Sequence, residues 1–271
     1  MSVTKPSGFT ASGVAAGLKS SGRKDVALVV NTGPKAHSAA VFTTNRFAAA
    51  PVIWCRQILS GGDGRVVVLN SGGANACTGT AGFIDTHVTA EIVASELSRL
   101  GDGEFGAGEV FVCSTGLIGE RLNMTALEAG VKSAISHLSP DGGIMAAEAI
   151  MTTDTKYKVA AVNGHGYAIG GMAKGAGMLA PGMATMLSVI TTDADVDAEF
   201  LQQALNTATA QTFDRLDSDG CMSTNDTVIL LANAASGVSP NPEQFQTALT
   251  KVCEELAQLL MADAEGATKE I

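Results

Sequence analysis

Apolar residues along this chain recur in two rhythms, and the alternation between them predicts an α/β protein with mixed sheets. Short runs bounded by Gly, Asn or Ser read as strands at 25–31 (DVALVVN), 40–44 (AVFTT), 51–55 (PVIWC) and 65–70 (RVVVLN). A further strand is expected at 109–116 (EVFVCSTG) and another at 226–233 (DTVILLAN). Between 85 and 100 the apolar positions Val88, Ile92, Val93 and Leu97 fall at helical spacing. Asn123 is a capping residue for a helix running to about residue 138, with Thr125 and Glu128 as an alternative cap. The segment KVAAVNGHGYAIGGM reads as two strands turning tightly at Asn163-Gly164. Helices follow near 197–213 and from Pro242 to about Ala264, the last burying Phe245, Leu249, Val252, Leu256 and Leu259. Hairpins and helix-linked strands together argue for mixed sheets covered by helices, with no repeat and no linker that divides the chain.

Composition narrows the function classes. The 271 residues are 46% hydrophobic and 16% charged, enough for a substantial core. A net charge of −10, without a basic run, and only 4% aromatic residues disfavour a nucleic-acid partner. No apolar stretch has the length of a membrane span or of a signal-peptide core, so a cytoplasmic protein is expected. Five widely spaced cysteines form no CxxC pair and read as mostly buried, reduced thiols. His37, His87, His137 and His165 make no ligand set, so neither metal nor cofactor is expected. GDGEFG at 101–106 matches a dinucleotide fingerprint but follows a helix and precedes a strand, the reverse of what phosphate binding needs.

Two stretches carry candidate chemistry. LNSGGANACTG (69–79) puts a glycine pair among Asn70, Ser71 and Asn75 at a strand end, as an elaborate turn or as a place where backbone amides meet a ligand. KGAGMLAPGMATMLSVITTDA (174–194) packs glycines and Pro181 before a β-branched run whose first residue is Thr185, preceded by the small Ala184.

With CSTGLIG (113–119), AIMTTDT (149–155), STNDT (223–227) and ADAEGATK (262–269), these segments resemble, in order and over nearly the whole chain, the ornithine acetyltransferases. That family, also called glutamate N-acetyltransferases, serves arginine biosynthesis. The resemblance implies a precursor that cuts itself between Ala184 and Thr185. The expected fragments are 1–184, with the oxyanion hole and part of the substrate pocket, and 185–271, headed by the nucleophile.

The chemistry gives such a cut a reason: a threonine hydroxyl needs a base, and a freed α-amine with a pKa of roughly 7.7–8.0 supplies one on the same residue. The family further implies an oxyanion hole at Thr115 and Gly116 and substrate contacts at Thr152, Lys174 and Glu265. Lys174 suits a carboxylate and Glu265 an amino group. An acid near the end of the last helix opposes the helix dipole, a mild sign of function for Glu265.

The implied reaction is ping-pong transfer from N-acetylornithine to glutamate, with acetyl-CoA as a donor in some members. The implied fold is a helix–sheet–sheet–helix sandwich, similar to N-terminal-nucleophile hydrolases, assembled as α2β2. The alternatives are an amidase or aminopeptidase of similar architecture, and a truncated, non-catalytic binding scaffold. Family members continue past the ADAEG motif, through segments that this chain lacks.

Overall fold

The computed structural model describes residues 2–61, 63–101, 103–180 and 186–269. Unbroken β-branched runs can be buried on both faces only inside a layered fold, and this is where they lie. Strands β2 (Val26–Asn31) and β4 (Val66–Ser71) are buried at every position. They are central in a four-stranded sheet, flanked by β1 (Phe9–Val14) and β5 (Val110–Thr115) in the order β1-β2-β4-β5. The β4–β5 pair is parallel and the others antiparallel.

The second sheet has the order β3-β9-β8-β7-β6. Its strands are β3 (His37–Phe42), β6 (Lys158–Asn163), β7 (Ala168–Lys174), β8 (Leu187–Thr192) and β9 (Thr227–Ala232). Only β8 and β9 run parallel.

Alternation along the second sheet sorts its two faces. Leu187, Val189, Ile229 and Leu231 join the core shared with the first sheet. Ile190, Val228 and Leu230 point into a separate core. That core is closed by helices α5 (Ala198–Gln211) and α6 (Pro242–Met261). Helices α2 (Gly79–Leu100) and α3 (Met124–Ser136) pack together on the first sheet. The result is the expected helix–sheet–sheet–helix sandwich. Helix α1 (Ala50–Leu59) touches the edge strands β5 and β3, and α4 (Gly143–Ala149) touches β1 and β6 at the opposite edges.

Several expectations change. Residues 51–55 belong to α1 and not to a strand. Pro51 sits in the helix's first turn, where its missing N–H costs nothing. Trp54 anchors the helix by donating to the Val110 carbonyl at 3.0 Å and packing against Phe83 and His87. The strand placed at 40–44 starts earlier and ends at Phe42. The turn after β6 spans four residues, closed by Gly164 N–H to Tyr167 O at 2.8 Å. Its positive φ falls on Gly166.

Helix α2 begins at Gly79, earlier than its apolar stripe indicates, and α6 ends at Met261, so Glu265 lies beyond the helix. Asn123 does cap α3, accepting from Ala126 N–H at 3.1 Å. Strand β1 and helix α4 left little apolar signal. They meet through Gly13, where a Cβ would stand 1.9 Å from the Met145 carbonyl oxygen. Of the five free thiols, Cys55, Cys113 and Cys253 are buried, whereas Cys77 and Cys221 are exposed.

Candidate active site

The parallel pair β4–β5 ends at Ser71 and Thr115, so the two loops that leave it run side by side. They are stitched together by Gly72 N–H to Thr115 O at 3.0 Å and Ala74 N–H to Leu117 O at 2.8 Å. LNSGGANACTG is therefore a buttress: those two amides are committed to the Thr115 loop rather than turned toward a ligand. Asn75 and Cys77 hold φ of 49° and 58°, and Asn75 locks the turn to α2 through Gly82 O and Thr86 Oγ1. Gly116 has φ of 130°, and a Cβ there would lie 2.8 Å from Gly73 N. Only glycine fits that position.

The second sheet reaches the same place from the other side. Asn225, just ahead of β9, donates from one amide group to Ala74 O at 2.6 Å and Ser114 O at 2.8 Å. Lys174, at the end of β7, is 3% exposed and extends its Nζ to Thr115 Oγ1 at 3.2 Å. A hydroxyl that accepts from an ammonium keeps its own proton free to donate elsewhere. Burial pulls the Lys174 pKa down, opposed by Asp154, Asp226 and Glu265, while Lys158 adds to the depression.

Lys174 is held by a buried ionic cluster. Lys158 Nζ bridges Asp154 Oδ1 and Asp263 Oδ2, each at 2.6 Å. Asp154 also accepts from Gly175 N–H at 2.7 Å and from Thr152 N–H at 2.9 Å. Asp263 accepts from the amide and hydroxyl of Thr155. Burial pushes the Asp154 carboxyl up, but Lys174, Lys158 and the Gly175 amide hold it below its ordinary value. Two residues after Asp263, Glu265 donates its N–H to Ala176 O at 2.6 Å. Its carboxylate lies against Gly177, where a Cβ would meet Oε2 at 3.0 Å.

The structure thus brings Thr115, Gly116, Thr152, Lys174 and Glu265 to one region between the sheets. Thr115 and Lys174 are buried, Thr152 half-buried and Glu265 exposed. Beside Thr152 a groove of about 560 Å³ opens, lined by Arg23, Lys24, Glu148, Thr155, Lys156 and Tyr157. Within it Lys24 pairs with Glu148 at 2.6 Å. Ala184 and Thr185 lie outside the described residues. Their neighbour Met186 is buried, donating its N–H to Asp226 Oδ1 at 3.1 Å and accepting from Thr227 N–H at 3.1 Å.

Such a site combines a hydroxyl, a buried cation and an exposed acid. Sequence reasoning missed Asp154, Lys158, Asp226 and Asp263 as members. A buried lysine four residues from an aspartate was the available signal for the first two, since buried charges must be paired. Among the described residues no helix is long and apolar enough to cross a membrane.

Comparison with known proteins matches residues 10–271 to the model of the ArgJ family. The arginine biosynthesis bifunctional protein ArgJ of Streptomyces coelicolor is 59% identical over 271 residues, covering 100% of this chain and 69% of that protein. A crystal structure of ornithine acetyltransferase complexed with ornithine, from Mycobacterium tuberculosis, is 56% identical with a TM-score of 0.66. The match covers 69% of this chain and 96% of that one. The L-aminopeptidase D-Ala-esterase/amidase of Ochrobactrum anthropi, described as a variant of the Ntn hydrolase fold, aligns over 98% of this chain and 88% of its own. Its TM-score is 0.55 at 15% identity, a likeness of fold alone.

Proposed function

The chain belongs to the ArgJ family, and from that membership and the cleft between its sheets we propose that it moves an acetyl group from N2-acetylornithine to glutamate through an ester on Thr185. The observation that carries this reading is the contact across the sandwich, Lys174 Nζ to Thr115 Oγ1 at 3.2 Å. It leaves the proton of Thr115, the residue before Gly116, free to be donated to an oxyanion. Donors of this kind act in a water-poor site where each is worth ~2.7–4 kcal/mol of barrier.

The nucleophile is made by self-cleavage. The Thr185 hydroxyl attacks the Ala184 carbonyl, the C–N bond breaks as the nitrogen takes a proton, and water hydrolyses the resulting ester. The freed α-amine then serves as base for the hydroxyl beside it. Chain lengths support the cut. The Mycobacterium tuberculosis chain is nearly all covered, yet spans only 69% of this one. The curated relative is longer than this chain. A cut after residue 184 of 271 would leave a first fragment of about that share.

In the transfer itself, the Thr185 hydroxyl attacks the acetyl carbonyl of N-acetylornithine and ornithine departs with the proton held by the α-amine. Glutamate then takes the acetyl group from the ester. Lys174 holds a substrate carboxylate, Glu265 the distal amino group of ornithine, and Thr152 a further polar contact. The two fragments pair as α2β2.

The test is an intact mass measurement after incubation with N-acetylornithine. Two fragments, 1–184 and 185–271, with one acetyl group on the second, are expected. Thr185→Ala is expected to stay uncut and unacetylated; transfer by this variant would overturn the reading. Ornithine release that continues without glutamate would instead mark a hydrolase.

A further inference from the structure

We propose that Lys19 is a positioning residue of the cleft, holding Thr152 in place for the acetyl donor and so governing how tightly that substrate binds. This rests on the reading of Thr152 as a substrate contact and adds a residue behind it. Lys19 lies half-buried in the loop between β1 and β2. Its Nζ donates to Met151 O at 2.6 Å, Lys24 O at 2.8 Å and Ala149 O at 3.4 Å. Those bonds join its own loop to the turn that follows α4.

The Met151 carbonyl is the telling partner, because it belongs to the rigid peptide plane that ends at Thr152. The N–H of that same plane donates to Asp154 Oδ2 at 2.9 Å. A cation thus grips one edge of the plane and a carboxylate the other. With the plane fixed, the Thr152 Cα has one place to sit.

The loop is shaped to bring Lys19 there. Asp25, which is fully buried, collects the amides of Ala16 at 2.6 Å, Leu18 at 2.7 Å and Lys19 at 3.0 Å. Leu18 closes on Gly72, where a Cβ would stand 2.8 Å from the Leu18 Cβ. Ser71 donates its hydroxyl to Ala149 O, the carbonyl that Lys19 also reaches. The turn before Thr152 is therefore tied to the end of β4, beside the Thr115 loop.

Lys19 differs from its neighbours in its partners. Lys24 pairs with Glu148 of α4, and Lys158 with Asp154 and Asp263. Among the described residues Lys19 meets carbonyl oxygens and no carboxylate at ion-pair distance. Burial lowers its pKa to about 8, helped by Arg23 on its own loop and Lys174 on β7, and opposed by Asp25 and Asp154. Above that pH the neutral amine has two protons for three carbonyls and turns a lone pair toward one of them. The grip on the 151–152 plane then loosens.

The experiment measures kcat and KM for N-acetylornithine, with glutamate saturating, from pH 7 to 9. It compares the wild type with Lys19→Met, Lys19→Arg, Thr152→Ala and the variant carrying both Lys19→Met and Thr152→Ala. At pH 7 Lys19→Met is expected to raise KM about 10-fold, the worth of one hydrogen bond to substrate, with kcat little changed. KM does not depend on the fraction of molecules that are active, so a merely structural role would leave it alone. The wild-type KM should rise about fivefold between pH 7 and 9, as a group titrating near 8 loses its charge. Lys19→Arg, which keeps charge and donors, should match the wild type at pH 7 and lack that rise. Groups common to both proteins cancel from the comparison.

Because Lys19 acts through Thr152, Lys19→Met should add nothing to Thr152→Ala. A wild-type KM in Lys19→Met, or additive effects in the double variant, overturns the proposal. Should Lys19→Met fail to fold, the wild type and Lys19→Arg decide: parallel KM profiles across pH 7–9 overturn it. An unchanged KM in Thr152→Ala would instead bring down the assignment of Thr152 itself.

Discussion

Thr115 does two jobs with one oxygen: it accepts from Lys174 and keeps a proton to donate. Replacing it with alanine removes the donor and leaves the Lys174 ammonium buried without that acceptor. Thr115→Ala is expected to lower kcat by about 10²–10³-fold, the usual cost of one oxyanion donor. KM should change little, because the bond is made to the transition state. Steady-state transfer from N-acetylornithine to glutamate measures both, and Thr115→Ser should retain most of the rate. Next to it Gly116 is fixed by space, not chemistry, since any side chain would collide with Gly72 and Gly73.

Between elements, the cluster Asp154–Lys158–Asp263 is the joint that matters. It ties the start of β6 to the 151–155 turn and to the end of α6, and three substrate-contact candidates hang from it. Asp154 holds the amides of Thr152 and of Gly175, which adjoins Lys174, and Glu265 follows Asp263 by two. Lys158→Met would leave two buried carboxylates unpaired, a loss of about 3–5 kcal/mol. Denaturant unfolding checks the stability, and calorimetric titration with ornithine should show weakened binding in whatever folds.

The pH dependence follows from the same cluster. Despite their burial, Asp154 and Asp263 are held below their ordinary values by lysine charges and hydrogen bonds. The stability they contribute is present above the unfolded carboxylate value of about 3.9 and is lost as pH falls through the folded ones. Acid should unfold the wild type through this window.

At the scale of the whole molecule, the cut at 184–185 would separate β7 from β8, which are neighbours in one sheet. The second fragment then supplies the inner strands β8 and β9, while the first supplies β3 on one side and β7 and β6 on the other. Helix α6 of the second fragment also packs on β6 and β7. Such fragments would be interleaved, and separating them would tear a sheet. They are expected to co-elute in native size exclusion and to resolve only in denaturant; separate native peaks would contradict this picture.

What the residue order alone determined was the strong local pattern. Continuous runs such as 25–31 and 65–70 became buried strands, and Asn123 capped its helix as read. A short apolar run, however, does not distinguish strand from helix. PVIWC therefore became a helix, once Pro51 took the first turn and Trp54 found the Val110 carbonyl. Small-residue segments such as β1 and α4 carried no periodicity to read. Motifs placed Thr115, Gly116, Thr152, Lys174 and Glu265 as candidates one at a time. Only the tertiary structure decided that Lys174 reaches Thr115 across two sheets, and that Asp226 is buried where it accepts from the Met186 amide. Those facts depend on strand order and on which loops meet at a sheet end. They arise between residues far apart in sequence, where no local spacing can record them.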